Sequence, residues 1–466
     1  MELTREALQH LSKDALIDII LAMNVRLQAL EAEVRELKRA KAPFSKGTRQ
    51  SAPKKPGRRA GQGLFKTRPA PEIKPTDRVI EVTAPLAADD RRCPQCDVPL
   101  VTTAEVVTSE DMPTQPVREI TRIQVEVGVC PRCGLRRRGQ HAKLGAHQCG
   151  ANAHQVGPRV LAHALALHYD SGLPLRRVPQ VMAQTTGITL TQSALSQSAG
   201  KLCEDGGLLH AHYTELRSRV AGSAVVNTDD TGWRVCATLA FLMGFFTDDT
   251  AYYQIRTRHR HQEVLEVLGK DFGGKLGTDR GKSYEARAMD QMAMQKCLSH
   301  LLKNLSEVAA RKSGRAKVFS RELKATLREA LAHWQAYQRG ECGIESYRER
   351  GREIAAKLDH QLRERALSDA DNRRLLRGIA YQHERGRLAL FLKHPEIAPT
   401  NNRAERGLRP AVIARKVSQC SKNERGAQTY AVMKTLFTTL RLRCTDTVSA
   451  FASLLRGASL PTACAG

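Results

Sequence analysis

The 466-residue sequence has no long apolar run, since none reaches the 18 or so residues that a transmembrane helix requires. Its first residues, Met1 to Glu6, lack the basic-then-apolar order of a signal peptide. Aromatic residues make up only 5% of the chain, and no basic amphipathic segment with aromatic anchors stands out. These absences argue against a membrane protein, and we expect a cytoplasmic one.

Acidic residues are too few to balance the basic ones. The chain has 48 Asp and Glu against 74 Lys and Arg, which gives a net charge of +26 and a pI near 9.9. An excess of this size indicates a polyanionic partner, and nucleic acid fits it better than an anionic membrane. The chain also exceeds the length at which one core usually stops growing, so we expect several domains.

The N-terminal residues follow a helical repeat. In residues 8–38 the apolar positions recur with alternating spacings of three and four, which is the seam of a coiled coil and predicts a homo-oligomer. A helix packing on its own protein is the alternative. The seam consists of Ile20, Met23, Leu27, Leu30, Val34 and Leu37.

Residues 41–80 are predicted to form a flexible basic linker rich in Pro and Gly.

Four of the 12 cysteines form two Cys-x-x-Cys pairs, at Cys93 and Cys96 and at Cys130 and Cys133. In a reducing compartment this spacing favours a tetrahedral thiolate site for Zn²⁺ over coincidental thiols or a redox pair. Stretches rich in β-branched residues lie between the pairs, so we predict a zinc ribbon over residues 81–140. It could contact DNA or be purely structural.

Residues 150–220 are predicted to be helical, with a helix–turn–helix layout. Leu175 to Gln184 form the first helix, Thr185-Thr186-Gly187 the turn, and Thr191 to Leu202 the second helix. The second helix would offer Thr191, Gln192, Ser193 and Gln197 to base edges in a DNA-binding segment. Any compact helical hairpin would look similar, and Pro179 inside the first helix weakens this interpretation.

After residue 222 the pattern changes to strands. Ala224 to Thr228, Ala237 to Phe246 and Tyr252 to Arg256 read as three strands, followed by a helix from His261 to Leu268 and a strand ending at Asp279. This layout predicts a multidomain α/β protein whose catalytic core resembles ribonuclease H. Residues 222–290 would form its first part, 291–395 a large helical insertion, 396–456 its last part, and 457–466 a tail.

Three acidic residues stand where a two-metal site needs them, with Asp229 and Asp279 at strand ends and Glu405 on a helix. Carboxylates are the preferred ligands of Mg²⁺, and two such ions about 4 Å apart can activate a hydroxyl and stabilise a leaving oxygen on phosphorus. Structural alternatives exist: Asp229-Asp230-Thr231-Gly232 could form a turn, and Asn402 could cap a helix with Glu405 as its capping-box partner.

These motifs make the chain resemble the large transposase of insertion-sequence family sixty-six, a branch of the DDE transposases. The most specific parts are Asp229–Val235 (DDTGWRV) and Asn401–Pro410 (NNRAERGLRP), the latter followed by Arg415 and Lys416. Departures from the family's usual pattern are Asp230 in place of Glu, Leu298 in place of Trp in a Cys-x-x-His motif at Cys297 to His300, and Val417 in place of Asn.

The resemblance implies a transposase, a polynucleotidyl transferase that binds the double-stranded ends of a mobile element, cleaves strands and transfers them to target DNA. Asp229, Asp279 and Glu405 would bind Mg²⁺ or Mn²⁺. Accessory proteins of the same element and association with the nucleoid also follow as expectations. The alternatives are a zinc-containing DNA-binding regulator and an inactive transposase descendant. Basic residues around Glu405 are candidates for DNA binding, namely Arg403, Arg406, Arg409, Arg415 and Lys416.

Overall fold

The computed structural model describes residues 12–40, 126–138, 156–363 and 366–462, together with single residues between 73 and 124. Its chain divides into two units, residues 1–112 and 113–466. Among the described residues, no helix is long and apolar enough to cross a membrane. The predicted linker and two of the predicted zinc ligands, Cys93 and Cys96, lie outside the described residues.

In the first unit, the predicted N-terminal helix is confirmed as α1 (Lys13–Ala40). Its seam residues Ile20, Met23, Leu27 and Leu30 are 46–64% exposed. A helix of this kind leaves its apolar stripe available to another helix, which is the arrangement that a coiled coil requires. Whether the helix pairs with a second copy stays a prediction.

A short hairpin in the second unit carries the other half of the predicted zinc site. Strand β1 (Val127–Val129) pairs antiparallel with β2 (Arg136–Arg138). The tight turn between them has Gly134 at a φ of +71°, where the absence of a Cβ avoids strain. Backbone N–H groups in this turn lower the pKa of Cys130, chiefly through Cys133 and Arg132, which favours the thiolate that a metal binds.

Four helices form the next segment, and the predicted helix–turn–helix layout is present. The turn contains Gly187 at a φ of +66°, and Thr191 caps the second helix by accepting a hydrogen bond from Ala194 N (3.2 Å). The first helix begins at Val178 and not at the predicted Leu175, so Pro179 lies in its first turn, where no proline N–H is needed. The helices are α2 (Pro158–Tyr169), α3 (Val178–Thr186), α4 (Gln192–Cys203) and α5 (Leu208–Ala221).

A five-stranded sheet forms the centre of the second unit, in the order β5-β4-β3-β6-β7. Strands β3, β4 and β5 are antiparallel, whereas β6 and β7 run parallel to β3. Since β3 continues through Asp229 to Val235, paired with β4 throughout, the turn alternative for Asp229-Asp230-Thr231-Gly232 is wrong. The prediction that this strand ends at Thr228, with Asp229 at its end, is wrong for the same reason. The strands are β3 (Val225–Val235), β4 (Thr238–Phe246), β5 (Ala251–Arg256), β6 (Lys275–Thr278) and β7 (Ala293–Lys296).

The helical insertion was predicted to begin at residue 291, but residues 293–296 form strand β7, because pairing with β6 overrides the helical pattern there. The described residues between 298 and 393 are mostly helical, as predicted, and have a hydrophobic core of their own. The second core, around the sheet, includes residues of α2 to α5 and of the two C-terminal helices. The helix predicted between β5 and β6 is α6 (His261–Leu268). The insertion comprises α7 (Leu298–Ala310), α8 (Val318–Gln338), α9 (Ile344–Arg363), α10 (Ala370–Glu384) and α11 (Leu390–Lys393), and the chain then forms α12 (Asn402–Ser418), α13 (Glu424–Arg443) and α14 (Thr447–Leu455).

Helix α12 packs on β3 and β4 at very short range. A Cβ atom added to Gly407 would lie 2.3 Å from the ring of the buried Phe246. The hydroxyl of Tyr253 also donates to Gly407 O (2.7 Å). Only glycine therefore allows the helix to approach the sheet this closely.

We predict that Gly407→Ala lowers the free energy of unfolding by about 1–3 kcal/mol, because the methyl group overpacks a filled core. Helix propensity alone would give the opposite sign, a gain of about 1 kcal/mol. Urea unfolding followed by circular dichroism measures the difference. Gly273→Ala is the matched control, since nothing lies within 4 Å of a Cβ at that position. A stabilised Gly407→Ala variant would contradict the close packing.

Candidate active site

Strand register places Asp229 and Asp279 side by side. In the parallel pair β3 and β6, Asn227 lies opposite Gly277. Asp229 lies two residues further along β3, and Asp279 follows the end of β6 directly, so the two acids are carried by adjacent segments of the chain. Neighbouring strands are about 4.8 Å apart, so the backbones that carry the two acids are adjacent.

One buried side chain, Asn401, connects the sheet to the helix that carries the third acid. Asn401 is 1% exposed and precedes α12 directly. Its Nδ2 donates to Thr228 O (2.8 Å), and its Oδ1 accepts from Asn227 Nδ2 (3.1 Å). At the other end, Glu405 N donates to Asn401 O (3.1 Å). Asn401 thus joins the residues just before Asp229 to the first turn of α12.

The capping-box alternative for Glu405 is wrong. Helix α12 begins at Asn402, with Asn401 as its N-cap residue, and no side-chain capping bond is present there. Glu405 is therefore the fourth residue of the helix and not the third, which a capping box requires. Its carboxylate instead lies 3.6 Å from His300 Nε2.

The charges of Asp279 and Glu405 both act on Asp229. The pKa of Asp229 is raised to about 7, first by burial and then by the charges of Asp279, Asp230 and Glu405, against a hydrogen bond from Asp230 N that lowers it. Asp279 accepts a hydrogen bond from Gly281 N (2.8 Å). A half-buried group of carboxylates with this mutual repulsion fits a hard divalent cation, because oxygen ligands and compensating positive charge are what such a site needs.

Asp230 does not share the environment of Asp229. Its Oδ1 lies 2.9 Å from His259 Nε2, and the imidazole of His259 stacks on Phe241 with ring centroids 4.9 Å apart. The hydrogen bond to Asp230 is the largest cause of the raised pKa of His259. This agrees with strand alternation, which turns adjacent side chains to opposite faces. No motif in the sequence pointed to His259.

A buried aromatic ring lies behind the acids. Tyr284 is fully buried, its hydroxyl lies 3.4 Å from Thr228 Oγ1, and Lys296 Nζ lies 5.4 Å from the ring centroid. Lys296 is also paired with Glu285 at 2.8 Å. Burial lowers the pKa of Lys296 despite that pairing. Burial raises the pKa of Tyr284 most, and the charges of Asp229, Asp230 and Asp279 raise it further. The sequence offered no signal for these residues.

The five basic residues predicted to bind DNA lie on different sides of α12. Arg409 is one turn from Glu405 and exposed, and Lys416 lies on the same stripe three turns along. Arg403 and Arg406 point elsewhere, Arg403 to Asp248 and Arg406 to Asn402 O (3.2 Å). Arg415 instead joins α12 to the sheet, because its guanidinium donates to Thr231 Oγ1 (3.2 Å) and to Gly232 O on β3.

The chain matches a known family over the segment that contains the candidate site. The family described as Transposase IS66 family matches residues 153–429, a span that contains the sheet, the helical insertion and all three acids. A search among curated proteins finds no match. Since the matched span covers more than half of the chain, this protein belongs to the IS66 family of transposases.

Proposed function

We propose that this transposase cleaves and joins DNA strands with divalent metal ions held by Asp229, Asp279 and Glu405. The observation that carries the proposal is the parallel pairing of β3, which contains Asp229, with β6, which Asp279 follows directly, together with the bonds of Asn401 that join α12 to β3. The sheet order supports a ribonuclease H-like core, with residues 298–393 inserted between β7 and the helix that carries Glu405.

Magnesium or manganese at this site would activate the attacking hydroxyl and stabilise the leaving 3′ oxygen. Hydrolysis would free a 3′ hydroxyl at the element's end, and that hydroxyl would then attack a phosphodiester of target DNA and displace its 3′ oxygen. In this mechanism the bonds of Asn401 would hold the helix that carries Glu405 against β3. Arg409 and Lys416, on the stripe of Glu405, would bind the phosphates beside the reacting one.

We also propose roles in DNA transposition for three other parts of the chain. Exposed seam residues on α1 favour self-association of the transposase. The Cys130–Cys133 turn has the form of a zinc knuckle, with Cys93 and Cys96 as the expected remaining ligands of Zn²⁺. Exposed Gln192, Ser193 and Gln197 at the start of α4 remain candidates for reading bases.

The direct test is Mg²⁺- or Mn²⁺-dependent nicking of DNA that carries the element's ends. We expect Asp229→Asn and Glu405→Gln to lose at least about 100-fold in rate, since even the outer partners of a metal site are worth 10- to 100-fold. Asp248→Asn is the control, because its carboxylate is highly exposed and pairs with Arg403 away from the acids. Intact DNA binding without any nicking by the wild type would favour the DNA-binding regulator or the inactive descendant.

The raised pKa of Asp229 predicts pH-dependent metal binding. Below about pH 7 the ion must displace a proton, and each unit of pH below the pKa costs about 1.4 kcal/mol. We therefore expect the increase in Tm caused by Mg²⁺ to be larger at pH 8 than at pH 6. In Asp229→Asn the increase and its pH dependence should both shrink, and equal wild-type increases at the two pH values would contradict the prediction.

The raised pKa of Asp229 also predicts how the stability of the metal-free protein changes with pH. Because the folded-state pKa lies above the ordinary value of 3.8, the neutral carboxyl favours folding, and this contribution is lost as the pH rises through about 7. In thermal unfolding without metal, the Tm should therefore fall as the pH rises from about 3.8 to about 7. Asp229→Asn should reduce this decline.

Helix geometry predicts which basic residues bind DNA. Arg409→Ala and Lys416→Ala should each weaken binding and reduce the slope of log K against log salt by about 0.9 for each phosphate that is no longer neutralised. Arg403→Ala is the matched control, since it removes an arginine from another side of α12. Arg415→Ala should instead lower the Tm, because it removes bonds to the β3 backbone. Equal effects of Arg403 and Arg409 on the salt slope would contradict the assignment.

A further inference from the structure

The Cys-x-x-His motif lies against the third acid of the site. Cys297 is the N-cap residue of α7, and His300 follows in the first turn of that helix. One ligand atom from each of Cys297, His300 and Glu405 lies within 4.8 Å of the other two. Residues three apart at the start of a helix lie on one side of it, so the motif presents sulfur and nitrogen together toward Glu405.

The cluster is held in place on its inner side and open on its outer side. Cys297 is 1% exposed, its N–H donates to Thr278 O (2.9 Å), and its sulfur accepts a hydrogen bond from Asn401 N (3.2 Å). Hydrogen bonds to sulfur are the outer support that metal thiolates receive in proteins. The side chains of His300 and Glu405 are 43% and 37% exposed, which leaves a path for an ion from solvent.

A set of one sulfur, one nitrogen and one oxygen selects a different ion from the three carboxylates. Thiolate and imidazole suit Zn²⁺ and Co²⁺, whereas Mg²⁺ takes oxygen ligands. Typical zinc bonds of about 2.0–2.3 Å need ligand atoms closer than 4.8 Å, so the side chains would close by rotation around the ion. A water molecule would complete the tetrahedron, and the thiol proton would pass to solvent on binding.

We propose that Cys297, His300 and Glu405 form a second cation site, specific for thiophilic divalent ions such as Zn²⁺ and inhibitory in effect. The inhibitory part rests on the proposed function, in which Glu405 binds the catalytic metals. An ion bound to Cys297 and His300 takes the carboxylate of Glu405 as its third ligand. Zinc at this site therefore withdraws Glu405 from Asp229 and Asp279 and stops cleavage.

Cobalt titration of the full chain tests the binding site itself. The protein is first loaded with one equivalent of Zn²⁺ to fill the predicted ribbon, and Co²⁺ is then added. We expect the near-ultraviolet thiolate-to-cobalt absorption band to appear in the wild type and in Cys236→Ser, whose cysteine is exposed and outside the cluster. The band should be absent in Cys297→Ser and weaker in His300→Gln. A band that is equal in all four proteins, or absent from all, would overturn the proposal.

His300→Gln also protects the test against a folding defect of Cys297→Ser, because His300 lies at the surface. Its nicking rate is measured in Mg²⁺ with rising Zn²⁺ and compared with its own zinc-free rate. We expect the zinc concentration for half inhibition to be at least about tenfold higher than in the wild type. Tenfold is the lower end of the loss in metal affinity when a supporting residue of a metal site is removed. Unchanged zinc sensitivity of His300→Gln would contradict the inhibitory role.

The two proposals can fail separately. A wild-type protein that shows the cobalt band and no nicking would retain the second site and contradict the proposed catalysis. A wild-type protein that nicks DNA in Mg²⁺ without the cobalt band would retain the catalysis and contradict the second site.

Discussion

The buried amide of Asn401 is the interaction on which the arrangement of the acids depends. It bonds to Thr228 O, beside Asp229, and its backbone carbonyl accepts from Glu405 N. Its own N–H donates to Cys297, which in turn donates to Thr278 O beside Asp279. One residue therefore connects the three chain segments that carry the acids. Because a buried amide without partners costs about 1–3 kcal/mol, this set of bonds favours one relative placement of α12 and the sheet.

The helical insertion explains how distant parts of the chain can build one site. Asp279 and Glu405 are 126 positions apart, and residues 298–393 fill most of that interval with helices that have their own core. Since the insertion packs largely on itself, it can occupy the connection between β7 and α12 without disturbing the register of β3 and β6. The helices α2 to α5, by contrast, share a core with the sheet: Tyr213, on α5, donates its hydroxyl to Tyr253 O on β5 (2.8 Å).

Charge is distributed so that repulsion is concentrated where a cation is needed. The chain has a net charge of +26, yet burial and neighbouring acids raise the pKa of Asp229 to about 7. The nearby arginine on the core side of α12, Arg415, donates to the backbone of β3 and not to these acids. Such a cluster of acids is unfavourable by itself, and the divalent ions proposed to bind there would relieve the repulsion and stabilise the folded protein.

Local patterns in the sequence determined much of the secondary structure and identified the residues that bear the chemistry. The sequence predicted the helix His261–Leu268, the turn at Gly187 and the helices after residue 297, because capping, glycine and periodicity act over a few residues. It did not predict strand β7 (Ala293–Lys296), which depends on pairing with β6. Tertiary structure decided the rest. Contacts between distant segments decided that Glu405 is not a capping residue and which side of α12 each arginine lies on. They also decided that His259 lies beside Asp230 and His300 beside Glu405. Such contacts are set by strand register and by the buried bonds of Asn401, and no local pattern in the sequence encodes them.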